Sequence, residues 1–123
     1  MDYKWFLFSF QGRINRKPFW MYAVTVFVIS FAASFALSGT TDVDPNTLSL
    51  ILTVIFIWPN LAVQAKRWHD RDKSAWWILI NLIPIVGPLW ALIETGFFPG
   101  SQGDNRFGRD PLASDSPIQP PVE

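Results

Sequence analysis

The sequence predicts an all-α fold: an integral membrane helical bundle of three transmembrane helices, preceded by an interfacial N-terminal segment. Three observations predict it. The first is where charge is missing. Residues 18–41, 45–65 and 74–93 contain no Asp, Glu, Lys or Arg over 24, 21 and 20 positions, and about 20 apolar residues at a rise of 1.5 Å cross a hydrocarbon core of roughly 30 Å. The second is composition. Half of the 123 residues are hydrophobic and 16% are charged, against about 25% charged in soluble domains. A chain this small cannot enclose three helices that are apolar on every side. The third is tryptophan. Trp20, Trp68, Trp76, Trp77 and Trp90 fall near the ends of the runs, as expected of a ring that is apolar while its N–H stays wet.

The elements follow in order. Residues 1–11 are too few to cross and densely aromatic, so they read as an interfacial segment, lying in the inner headgroup layer or packed over the bundle mouth. Gly12 breaks it, and Pro18 suits the first turn of a helix, so the first span covers about 18–40. At this length it reads as a retained span rather than a cleaved signal. Ser30, Ser34 and Ser38 recur every four residues and read as a close-packing stripe. The second span, about 46–66, opens at Pro45-Asn46 and contains Pro59, which predicts a kink. Asn60, Gln64, Arg67 and Arg71 then share one helical face, and polar groups at depth face the bundle interior. The third span, about 75–97, is interrupted by Pro84, Gly87 and Pro88 and is expected as a kinked helix. A broken, re-entrant segment is the alternative. Residues 1–112 make one membrane domain, and 113–123, rich in Ser, Asp, Pro and Gln, read as a disordered tail.

Composition also excludes chemistry. The chain has no Cys and one His, so disulfides, a thiol nucleophile, Cys-ligated centres and multi-histidine metal sites are out. Ten Lys and Arg balance ten Asp and Glu, which leaves no basic excess for nucleic acid. The cations do cluster: Lys4, Arg13, Arg16 and Lys17 precede the first run, and Lys66, Arg67, Arg71 and Lys73 separate the second from the third. The positive-inside rule puts the N-terminus and the second loop in the cytoplasm and the Asp42–Asp44 hinge outside. With three full spans the C-terminus is expected outside.

Three polar patches stand out. They are Gly12-Arg13-Ile14-Asn15-Arg16 with Phe19-Trp20; Lys66-Arg67-Trp68-His69-Asp70 with Lys73-Ser74-Ala75-Trp76-Trp77; and Asn105-Arg106-Phe107-Gly108-Arg109-Asp110-Pro111. Residues 83–88, Ile-Pro-Ile-Val-Gly-Pro, lie between the last two. Together, over about residues 3–112, these patches resemble a family of small bacterial inner-membrane proteins, the domain of unknown function 805 family. Ala75 and Arg109 depart from its pattern, which often has Gly and Pro there. The resemblance implies a multi-pass protein of the bacterial inner membrane and brings no activity, substrate or cofactor.

The candidate site is a polar cluster of Arg13, Arg16, Lys17, Arg67, His69, Asp70 and Arg71, suited to anionic headgroups because Arg forks match phosphate oxygens. The bland reading makes them topology signals and snorkelling cations. Gly12, Asn105, Arg106 and Gly108 are motif residues of unknown role. His69 beside Asp70 invites an acid–base reading, but neighbours on a helix point about 100° apart, so an ion-pair network with the Arg13–Lys17 cluster is expected instead. No catalytic residue, metal or cofactor is expected. The expected function is that of a non-enzymatic membrane protein acting at a basic cytoplasmic face, through anionic lipids, a second copy or another membrane protein. An oligomeric transporter or channel component is the alternative, and an enzyme on a phosphorylated or lipid-linked substrate is a further one.

Overall fold

The computed structural model describes residues 2–39 and 42–112; the expected tail lies outside them. Among the described residues four α-helices follow one another: α1 (Tyr3–Phe8), α2 (Arg16–Ser38), α3 (Pro45–Asp70) and α4 (Val86–Leu92). A 3-10 helix (Ala75–Leu82) precedes α4 and a π turn (Ile93–Phe97) follows it.

Each start has a local cause. The Asp2 carboxylate accepts the Trp5 backbone N–H at 3.1 Å and caps α1. Asp44 does the same for Thr47 at 3.1 Å, with Pro45 in the first turn of α3. Pro18 sits in the first turns of α2. With 23 and 26 residues, α2 and α3 are both long and apolar enough to cross a membrane. The apolar stretch of α2 buries none of itself in the protein and that of α3 only 17%. Phe27, Phe31 and Phe35 stand outward as a ladder of near-parallel rings, 6.4 and 6.5 Å apart. Both helices run close to the expected bounds, and α3 continues through Pro59 into the charged patch at its end.

Among the described residues the core lies at one end. Trp5 and Phe6 of α1 pack on Ile14 and Val63, with Leu7, Phe19 and Tyr22 alongside. The Lys66 ammonium donates to the carbonyls of Trp5, at 3.4 Å, and Ser9, and lies over the Trp5 and Phe6 rings at 5.3 and 5.8 Å. It satisfies acceptors that the end of a short helix leaves open.

The third span corrects the expectation. Residues 75–97 do not form one kinked helix. The 3-10 helix and α4 lie against each other as a hairpin, so tightly that a Cβ on Gly87 would sit 1.8 Å from the Ile80 carbonyl oxygen. Between them the Val86 N–H donates to the Pro84 carbonyl at 2.7 Å, which places Ile85 at φ 66, ψ −60 in a γ-turn. A β-branched residue there is strained by about 1–3 kcal/mol. Eight residues at about 2.0 Å and seven at 1.5 Å are each too short to cross. The Asn81 side-chain amide donates to Gln64 at 3.3 Å, tying the hairpin to α3 about three-quarters of the way along that helix. Beside it, Tyr22 of α2 is hydrogen-bonded to Asn60 of α3.

Candidate functional site

The last turn of α3 carries Arg67 and Asp70, three residues apart and so on one face. Both are buried, at 0% and 2% exposure. A carboxylate without water needs donors for its oxygens, and a buried guanidinium needs acceptors. The two form an ion pair. The second donor arrives from the first polar patch. Gly12, at φ 94, turns the chain out of the α1 segment and aims Arg13 at Asp70, with Nε 2.9 Å from Oδ1.

What remains of both guanidiniums goes to backbone carbonyls. Arg13 Nη1 donates to Gly103 at 2.8 Å and Nη2 to Ser101 at 2.7 Å. Arg67 donates through Nε to Thr95, through Nη1 to Ile14 at 3.2 Å and through Nη2 to Phe98 at 2.8 Å. One carboxylate and two arginines thus hold the start of α2, the end of α3, the π turn and the 99–108 loop together. The loop comes very close. A Cβ on Gly100 would lie 2.1 Å from Asp70 Oδ2, and the Ser101 N–H donates to the Asp70 carbonyl at 2.7 Å.

The third patch completes the closure. Asn105 and Gly108 exchange backbone hydrogen bonds at 3.0 and 3.1 Å in a tight turn, with Gly108 at φ 149. The Asn105 amide donates to the His69 carbonyl and the Ser101 hydroxyl, both at 2.9 Å. Phe107 lies flat on the His69 ring, centroids 4.0 Å apart and 5° from parallel. Arg106 stacks 4.7 Å over Phe107 and donates to the Asp72 carbonyl at 3.1 Å. His69 Nδ1 donates to the Gly12 carbonyl at 2.8 Å. No Asp70 oxygen reaches the imidazole, because both bond the arginines. His69 and Asp70 are therefore not an acid–base pair, and among the described residues no group of three His, Asp or Glu could hold a metal.

The expected cluster thus divides. Arg13, Arg67, His69 and Asp70 are internal. Arg16 and Lys17 are exposed, with Arg16 also donating to the Phe97 carbonyl at 2.9 Å. Arg71 lies part-way, donating to the Pro99 carbonyl at 2.7 Å. Gly12, Asn105, Arg106 and Gly108, without a role in the sequence, belong to the closure. Residues 99–112 return to the end where α2 starts and α3 stops. Two further charged residues are held inside this end, Lys66 under α1 and Glu94 in the π turn. Glu94 is buried, pairs with Lys73 and with Arg71 at 3.5 Å, and accepts the Trp90 indole N–H at 2.9 Å. Lys73 is 21 positions from Glu94, and only the hairpin brings them together.

At the loop's far side the Asp110 carboxylate accepts the Leu112 N–H at 2.9 Å and the Gly103 N–H at 2.9 Å. These bonds, the Leu112 one foremost, hold its pKa below the ordinary 3.8.

A family model described as "Protein of unknown function (DUF805)" matches residues 7–109. Inner membrane protein YhaH of Escherichia coli K12 is 36% identical over 84% of this chain and 87% of its own length. A protein named Uncharacterized protein YiiR from the same organism is 32% identical over 89% and 90%. Inner membrane protein YhaI is 31% identical over 84% and 86%. No solved structure matches.

Proposed function

Because the chain belongs to the DUF805 family, whose relatives include named inner membrane proteins, we propose that it is a non-enzymatic, multi-pass protein of the bacterial inner membrane. In this reading α2 and α3 cross the bilayer, and the hairpin of residues 75–97 enters and returns on the cytoplasmic side. All three polar patches, the N-terminus and the 99–112 loop then share that side, and the Asp42–Asp44 hinge faces out. The observation that carries it is the Arg13–Asp70–Arg67 network, which ties the 99–108 loop to the start of α2 and the end of α3.

The same network divides the labour among the cations. Arg13 and Arg67 have their donors engaged by protein acceptors, so they support the fold. The outer cations Arg16, Lys17, Arg71 and Lys73 meet anionic lipid headgroups or an acidic membrane-protein partner. Catalysis has no support in a site whose imidazole is stacked under Phe107 and whose carboxylate is held by two arginines.

Topology is the direct test. The chain has no native Cys, so Asp42→Cys, Ser74→Cys and Gln102→Cys variants can each be exposed to an impermeant maleimide in intact cells. Labelling at 42 alone, with 74 and 102 reactive only after lysis, is expected. Labelling of intact cells at 102 would overturn the returning hairpin. Anionic lipid retained around the purified protein should fall when Arg16, Lys17, Arg71 and Lys73 are changed together to Gln; unchanged retention would remove the lipid reading.

A further inference from the structure

The face of α4 turned away from α2 carries a groove of about 410 Å³ lined by Val86, Leu89, Trp90, Ile93, Glu94 and Phe98. Five of the six are apolar or aromatic. The helix rises about 12 Å from Glu94 back to Val86, so the groove runs from the charged end of the molecule toward the hairpin tip.

Its head is cationic. Arg71 lies 5.2 Å over the Phe98 ring, and Arg71 and Lys73 both face the Glu94 carboxylate. Two cations against one carboxylate leave an excess positive charge at the mouth. The side chains of Arg71 and Lys73 are 25% and 30% exposed, whereas those of Arg13 and Arg67 are 1% and 0%. Their donors are also less engaged. Arg71 uses Nη1 on Pro99, its Nε only approaches Glu94 at 3.5 Å, and Nη2 has no hydrogen-bond partner among the described residues. The Lys73 ammonium sits 4.6 Å over Trp77, at the level where tryptophan meets headgroups.

We propose that this groove holds one anionic phospholipid, with an acyl chain along Val86, Leu89, Trp90, Ile93 and Phe98 and its phosphate on Arg71 and Lys73. The proposal rests on the reading that this end of the molecule faces anionic headgroups, and it fixes where the bound lipid sits. Charge complementarity favours a lipid over a second copy. A two-fold contact centred on the groove would set the same cations against each other.

The test uses the purified full chain in detergent micelles holding equal phosphatidylglycerol and phosphatidylcholine, with retained lipid read by native mass spectrometry. One phosphatidylglycerol should be retained, with a preference of about tenfold, as expected for two cations near a phosphate. Arg71→Gln/Lys73→Gln should bring the preference close to one. Leu89→Trp, which fills the groove and keeps the ion pairs, should reduce retention of both lipids, so the proposal stays testable if the double variant fails to fold. Lys4→Gln, at an exposed cation of α1 outside the groove, should leave the tightly held lipid in place.

Loss of preference in Arg16→Gln/Lys17→Gln but not in Arg71→Gln/Lys73→Gln would remove the groove and keep the basic-face reading. No preference in the unaltered chain would remove both. Displacement of the lipid by inorganic phosphate, or a lipid-free dimer closed over α4, would overturn the acyl-chain site.

Discussion

At the end of the molecule bearing Arg13, Arg67 and Asp70, segments from four parts of the chain are joined by named hydrogen bonds. At the other end α2 and α3 stand with little else around them, and Phe27, Phe31 and Phe35 face outward. The difference shows two ways of specifying structure with the same chain. The outer halves of the helices are set by hydropathy and length, and many apolar sequences would serve. The charged end is set by individual donors and acceptors, where each removal leaves a buried group without a partner.

Breaking that contrast at its strongest point means Asp70→Ala. Two buried arginines would lose their shared carboxylate, at a cost of about 3–5 kcal/mol. The thermal unfolding midpoint in detergent should drop sharply, with the 99–108 loop becoming sensitive to trypsin. A midpoint unchanged from the parent would mean that Asp70 is not the centre of the closure. Gly87→Val comes next. Its side chain would meet the Ile80 carbonyl, and overpacking of this kind costs about 1–3 kcal/mol. The same melting experiment should show an intermediate loss, and a neutral result would argue against the tight hairpin.

A smaller effect sharpens the comparison from the loop side. Phe107→Ala removes the stack on His69, worth about 0.5–1.5 kcal/mol beyond burial. Hydrogen exchange should quicken in residues 101–108 and stay unchanged in the outer half of α2. On that outer half, Phe31→Leu exchanges one outward apolar side chain for another and should change stability by less than about 0.5 kcal/mol. A large loss there would mean that a protein surface, not lipid, covers the ladder.

The pH response should also be local. Asp110 titrates below 3.8 when its carboxylate accepts the Leu112 and Gly103 N–H groups. A depressed carboxylate contributes stability above its unfolded pKa, and the contribution fades as pH falls through the folded one. Amide shifts of Gly103 and Leu112 should hold down to about pH 4 and move together below it. Movement near pH 6 would implicate another group.

Much of this was legible in the sequence. Uncharged runs located α2 and α3, and the aromatic residues ahead of Gly12 marked a segment too short to cross, where α1 lies. An ion-pair network between the Arg13 and Arg67 patches was expected and occurs through Asp70. The third run was misread because the signals that break it, Pro84, Gly87 and Pro88, are shared by kinked helices. The γ-turn at Ile85 and the approach of Gly87 to Ile80 separate the two outcomes, and the second is a tertiary contact. A continuous third span would send residues 99–112 to the far end, away from their contacts with Arg13, and would separate Glu94 from Lys73. Buried and exposed arginines were also indistinguishable in sequence, since burial depends on which carbonyls come within reach.

The hairpin has one more consequence, concerning shape. A plane through the level of Val63 cuts α2, α3 and the hairpin, with α1 lying against them; a plane through Phe35 cuts two helices. In the topology proposed above, the protein would take up unequal area in the two leaflets of a bilayer. Lipid would have to spread around the thick end and close in around the thin one, giving the molecule the outline of a wedge. Its energy would then depend on the curvature of the surrounding membrane, and crowding many copies side by side would favour a bend in the sheet.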